Sequence, residues 1–172
     1  MEMVPCGAGA RSPEPYPDIH VRGRDPRYAQ AMLSNIGGVT SEMSAVALYL
    51  YDHLVSGDTP TARIFREISV VEMHHLEIFS ELAMQLGADP RLWSVQRRRR
   101  VWWSPEYLQY NRMTGPLLQT AIRSEQAAIR KYENQARWIA DENVRANLRR
   151  IILDEQCHLE EFTRLWREHT GR

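Results

Sequence analysis

Between residues 26 and 169 the apolar positions recur at mixed three- and four-residue steps in four long blocks, the period of amphipathic helices. The first block is predicted to run from Pro26 to about Val55, with Leu33, Ile36, Val39, Met43, Val46, Leu50 and Leu54 on its apolar positions. Asp25 followed by Pro26 reads as an N-cap with proline at the first helical position. Gly37 and Gly38 interrupt this helix, and because each interior glycine costs about 1 kcal/mol, a kink or a close helix contact is expected there. Ser56, Gly57, Asp58, Thr59 and Pro60 form a turn. A second helix follows from about Pro60 to Leu86, stopped by Gly87 and Pro90. Third and fourth helices are predicted from Pro116 to about Ile139 and from Glu142 to about His169. Residues 1–24 are rich in Pro, Gly and Arg and suit an extended or partly disordered arm, with Tyr16 and Ile19 placed to pin its later part to the bundle. The fold expected over 25–172 is therefore all-α, an antiparallel four-helix bundle of two helix pairs. A long crossover at about 88–115 joins the pairs and lets helices two and three run parallel.

The polar residues inside these blocks repeat. Glu72 and His75 stand three positions apart in EISVVEMHHLEIF, and Glu155 and His158 stand in the same relation in RIILDEQCHLEEF. Three helical residues turn about 300° and rise about 4.5 Å, so each carboxylate and imidazole project side by side. Upstream of each pair lie SEMSAVALY and SEQAAIRKY. The offsets 125−42, 132−49, 155−72, 158−75 and 162−79 all equal 83. One shift thus superimposes two glutamates, a tyrosine, a histidine and a phenylalanine, which reads as a duplicated helix pair whose halves face each other.

Any one of these glutamates alone would read as a surface residue, and a single histidine as a hydrogen-bonded core group. Six in register read differently. Glu42, Glu72, His75, Glu125, Glu155 and His158 form the inward set, one Glu from each of two helices and Glu-x-x-His from each of the others. Four carboxylates and two neutral imidazoles balance two divalent cations, and without cations the carboxylates would repel one another in a low-dielectric interior. Glu72 and Glu155 are expected to bridge and Glu42 and Glu125 to be terminal. Oxygen and imidazole donors suit two iron or two manganese ions and do not exclude zinc. Tyr49 and Tyr132, seven residues after the terminal glutamates, are each expected to donate to a carboxylate, across the pseudo-dyad or within one half. Asp154 is placed to accept from the outer nitrogen of His75. Its repeat position is Val71, so His158 needs another partner. Glu77 and Glu160 repeat too, but face outward.

Composition narrows the picture. Twenty-two basic and twenty-two acidic residues cancel, which gives no argument for nucleic acid or a membrane surface. The run Arg97 to Arg100 then reads as a solvated loop, and the tryptophans beside it as cover for the bundle. No stretch of about 18 apolar residues occurs and the first residues lack the pattern of a secretory leader, so the expectation is a cytoplasmic protein that does not span a membrane. Cys6 and Cys157 are too few for a disulfide framework, and a reducing compartment is the default.

The doubled Glu plus Glu-x-x-His pattern resembles the ferritin-like superfamily, and looks closest to its bacterioferritin, rubrerythrin and manganese-catalase-like members, from Pro26 to about His169. The resemblance implies a dinuclear site acting on hydrogen peroxide or dioxygen, in a homo-oligomer, with Tyr49 matching a near-metal tyrosine common in ferritins. Three functions follow from it: a peroxide-consuming oxidoreductase of catalase or peroxidase type, a ferroxidase or iron-storage protein with Fe²⁺ as substrate, and a structural metal-binding scaffold or coat protein. The chain also departs from these families. Ala121 and Ile122 occupy the turn where rubrerythrins usually carry a further glutamate, no rubredoxin-like cysteine cluster is present, and no fifth helix of the storage-ferritin type follows. Met73 falls where bacterioferritins place a haem-ligating methionine, although core filling is the commoner role and haem is not expected.

Overall fold

The computed structural model describes residues 6–7, 10–57 and 59–171. Its helices are α1 (Pro26–Gly37), α2 (Glu42–Val55), α3 (Thr59–Gln85), α4 (Thr114–Trp138) and α5 (Glu142–Thr170). Together they make one ferritin-like four-helix bundle, in which α1 and α2 share the place of the first predicted helix. α2 packs on α3 and α4 on α5, while contacts across the pairs, α3 with α5 and α2 with α4, are fewer.

The predicted first helix breaks between Gly37 and Ser41. Asp25 caps α1 by accepting from the amides of Arg27 and Tyr28, and Ser41 caps α2 by accepting from Ser44 N. At Gly37 the neighbouring chain comes so close that an added Cβ would sit 2.6 Å from Trp93 N and 2.8 Å from the carbonyl carbon of Leu92. The single lysine, Lys131 on α4, closes the break by donating to the carbonyls of Ser34 at 2.8 Å and Thr40 at 2.6 Å. Restarting the helix resets its phase. Leu33, Ile36 and Val46 are buried, but Val39, Leu50 and Leu54 are exposed, and Leu48, Tyr49 and Asp52 point inward instead.

The crossover is structured. Trp93–Gln96 (β1) and Arg99–Trp102 (β2) form an antiparallel hairpin with Trp93 opposite Trp102, and a 3-10 turn follows at Pro105–Tyr107. The expected loop at Arg97 to Arg100 is thus a hairpin tip and its second strand, with all four arginines in solvent. Arg97 and Arg98 take φ of 48° and 64°, the left-handed conformation a two-residue hairpin turn requires. Two tryptophans cover the bundle: Trp93 packs on its core and Trp103 donates to Ser44 Oγ, whereas Trp102 is exposed.

Two apolar clusters fill the interior. One gathers Met32, Leu33, Ile36, Phe79, Leu82 and Leu148 around Tyr132; the other gathers Leu48, Phe65, Ile68, Leu118 and Phe162 around Tyr49. Tyr16, Ile19 and Val21 of the arm pack against the first. The arm is extended yet tied to α5 at several points, and the expectation of reduced cysteines needs correction: Cys6 and Cys157 form a disulfide across 151 residues, with a Cα–Cα distance of 5.6 Å. A count of two says nothing about where a fold puts them, and the reducing-compartment argument falls with it. Among the described residues no helix is long and apolar enough to cross a membrane.

Candidate metal centre

Glu42 opens α2, Glu72 and His75 lie mid-α3, Glu125 mid-α4, and Glu155 and His158 mid-α5. All six are 2% exposed or less, and they meet between the two apolar clusters. They form two overlapping groups. Glu42, Glu72, His75 and Glu155 make one, Glu72, Glu125, Glu155 and His158 the other, and within each group one ligand atom per residue lies within 4.8 Å of the rest. Glu72 and Glu155 belong to both, the placement of bridging carboxylates. Each imidazole turns Nδ1 inward: His75 Nδ1 lies 3.1 Å from Glu72 and 3.4 Å from Glu155, and His158 Nδ1 lies 3.2 Å and 3.1 Å from the same pair.

The tyrosines cross the pseudo-dyad. Tyr49 donates to Glu125 and Tyr132 to Glu42, so each helix pair holds the terminal glutamate of the other. Burial, then the charges of nearby glutamates, pushes both phenols well above their ordinary range. They stay protonated donors.

Charge is unevenly distributed. Burial and the neighbouring Glu72 and Glu155 hold the carboxyls of Glu42 and Glu125 well above the usual range. Burial pushes Glu72 up as well, but the two imidazoles outweigh it and its net direction is down. Burial would lower both histidines, yet their carboxylate partners raise them well above the ordinary imidazole range. These directions show a pocket with strong demand for positive charge, met by protons on imidazole when nothing else supplies it. Cations fit the donor set. Glu155 Oε1 is buried without a hydrogen bond among the described residues, and four buried carboxylates face one another.

Around this centre the structure shows the expected acceptor of His75 and adds partners that the sequence pattern did not mark. Asp154 accepts from His75 Nε2 at 3.0 Å, and also from Ser12 N at 2.7 Å and from Tyr16 Oη, and it forms an ion pair with Arg150 at 2.7 Å. Arg150 sits four residues before Asp154, a legible helical ion pair; Ser12 left no signal. Among the described residues nothing equivalent serves His158, whose Nε2 is buried without a hydrogen-bond partner. Met73 does not fill the core: it is 54% exposed on the outer face of α3. Glu77 and Glu160 lie in solvent.

A cavity of about 200 Å³ reaches the centre from between α2 and α4. Glu42, Glu72, Glu125 and Glu155 line its inner end, and Val39, Gln109 and Arg123 line its outer end.

A family model described as rubrerythrin matches residues 38–166. A curated protein described as a probable manganese catalase, from Clostridium acetobutylicum, is 26% identical over 161 residues, spanning 81% of this chain and 70% of that protein. A crystal structure of a manganese catalase from Anabaena superposes with a TM-score of 0.83 at 21% identity, over 94% of this chain and 80% of that one. The bacterioferritin of Rhodobacter capsulatus, whose structure has a metal-free dinuclear site, gives 0.71 at 18% identity, over 86% and 89%. At such identities the two structures speak for the fold alone.

Proposed function

Because this chain belongs to the rubrerythrin family, we propose that it is a dinuclear iron or manganese carboxylate oxidoreductase that consumes hydrogen peroxide. The observation that carries the reading is the pair of overlapping four-residue groups sharing Glu72 and Glu155 at the inner end of a cavity. One cation would be held by Glu42 and His75, the other by Glu125 and His158, with Glu72 and Glu155 spanning both. When bound, the two ions supply a two-electron couple and a positively charged anchor for an oxygen substrate.

The chain's own residues do the rest. Tyr132 and Tyr49 fix one oxygen of Glu42 and of Glu125, which keeps both carboxylates aimed at the centre. The same two glutamates line the cavity. There they are placed to accept a proton from a peroxide O–H and return it to the departing oxygen. Phe65 and Phe162, packed on Tyr49, and Phe79, packed on Tyr132, keep water out from either side. A cavity of about 200 Å³ leaves room for a small substrate such as peroxide beside the inner carboxylates. Likeness to the probable manganese catalase favours disproportionation, which needs no external electron donor.

A homo-oligomer is part of this reading. Val70, Met73 and Met84 on α3, with Leu50 and Leu54 on α2, are exposed, and a second copy would bury them.

Oxygen-electrode measurements on protein loaded with Mn²⁺ test the proposal. One O₂ is expected for every two H₂O₂ consumed, without added reductant. No oxygen, together with a mineral core formed after Fe²⁺ addition, would replace it with iron oxidation and storage. Metal that leaves with the fold and never changes oxidation state would make the ions structural.

A further inference from the structure

The two halves of the site carry the same six groups but different surroundings, and the difference comes from the N-terminal arm. Asp154 holds His75 and is itself held by Ser12 N and Tyr16 Oη of the arm and by an ion pair with Arg150. Arg150 completes the grip by donating to the arm carbonyls of Glu14 at 2.8 Å and Ser12 at 3.0 Å, and its guanidinium lies 4.0 Å above the Tyr16 ring. Tyr16 also meets His74 edge-on at 4.6 Å between ring centroids, beside the ligand His75. A covalent tie then secures the arm: Cys6 is bonded to Cys157, the residue preceding His158. The opposite half has no such clamp. Val71 occupies the position equivalent to Asp154, Glu67 that of Arg150, and among the described residues nothing accepts from the buried His158 Nε2.

An acceptor on the outer nitrogen of a metal-bound histidine fixes its tautomer and orientation and makes it a stronger donor to the ion, and removing such an acceptor typically weakens metal binding about 10–100-fold. An arm that holds the acceptor in place therefore acts on the ion without touching it. We propose that the arm is a working part of the dinuclear centre: through Tyr16 and Asp154 it makes the cation position at His75 tighter than the one at His158, and the Cys6–Cys157 disulfide keeps this clamp closed. Tyr16 is a positioning residue and does not touch the ion. A dithiol reductant opens the clamp by exchange, leaving two thiols on the chain and a disulfide on the reductant. The inference rests on the two-cation reading of the site and not on peroxide as substrate.

The test uses the full chain loaded with Mn²⁺ and chased with excess EDTA, with released Mn²⁺ followed by its electron paramagnetic resonance signal. The oxidised chain is expected to release two ions per chain in two phases of equal size, at rates about tenfold or more apart. Tyr16→Phe, Cys6→Ser and prior reduction should each accelerate the slow phase about tenfold and leave the fast phase unchanged. Cys6 lies on the exposed arm, so Cys6→Ser is informative even if Tyr16→Phe folds poorly. Two ions leaving at one rate, or two phases indifferent to all three changes, would overturn the proposal while leaving the ligand assignment intact. Fewer than two bound ions in the parent chain would overturn the ligand assignment and this inference with it.

Discussion

The half of the molecule built from α2 and α3 and the half built from α4 and α5 agree at every ligating group that faces the centre and disagree at several of the polar groups behind it. Glu42 and Glu125 accept from Tyr132 and Tyr49 in the same manner, yet Glu42 stands in the first turn of a 14-residue helix and Glu125 in the middle of a 25-residue one. Asp52 and Gln135 are likewise 83 residues apart. Gln135 exchanges two hydrogen bonds with Asn35, at 2.8 Å and 2.9 Å, whereas among the described residues both carboxylate oxygens of buried Asp52 lack a hydrogen-bond partner. The contrast teaches that the duplication is preserved where four helices must point at one place. Each half packs against different neighbours, the hairpin on one side and the arm on the other, and there the symmetry has no geometric reason to persist.

Changing a shared group should break both halves together. Glu72→Ala removes a carboxylate common to both groups, so metal content measured by elemental analysis should fall from two ions per chain to one or none, while far-ultraviolet circular dichroism keeps its helical amplitude. Full occupancy in that variant would remove Glu72 from its bridging role. Next in size come the crossed tyrosines. Tyr49→Phe and Tyr132→Phe should each cost about tenfold in Mn²⁺ affinity, and by similar factors, because each removes one donor to a terminal glutamate. A clear inequality would show that the asymmetry reaches the ligands themselves.

Smaller effects probe the unequal surroundings. Gly37→Ala forces a methyl group onto the hairpin backbone and should destabilise the fold by about 1–3 kcal/mol in denaturant titration. The equivalent position on α4, Thr120, already carries a side chain and should tolerate alanine better. Asp52→Asn tests the unpartnered carboxylate. Burial alone pushes Asp52 up from 3.8 to about 8, so between those values the folded chain keeps a proton that the unfolded chain has lost. Stability then falls as pH rises through this window. The asparagine variant should show a shallower decline in Tm from pH 4 to 8 than the parent; parallel curves would mean that Asp52 is ionised in the fold at no cost.

Much of the architecture was legible in advance because it is written in short-range periods. Helix boundaries at Asp25 and Gly87 followed from a cap and a breaker that act within one turn, and the constant shift of 83 placed six side chains around one centre without any coordinates. The tyrosines were legible as donors, but whether each served its own half or the other was left open, since that depends on how the pairs are set against each other. The hairpin at 93–102 was missed because its strands are short and four arginines mask any alternation. Val39, Leu50 and Leu54 were misplaced because a helix that stops and restarts loses its phase.

By itself, then, the amino-acid order determined four helical blocks, their duplication and the convergence of four glutamates and two histidines, because each of these is a matter of spacing along one helix or of one half copied onto the other. Only the tertiary structure decided that Ser12 and Tyr16 reach Asp154 from about 140 positions away, that Cys6 meets Cys157, and that Trp93 presses on Gly37. Such contacts join segments that share no period and no repeat. Their partners are chosen by which surfaces the packed bundle brings within reach.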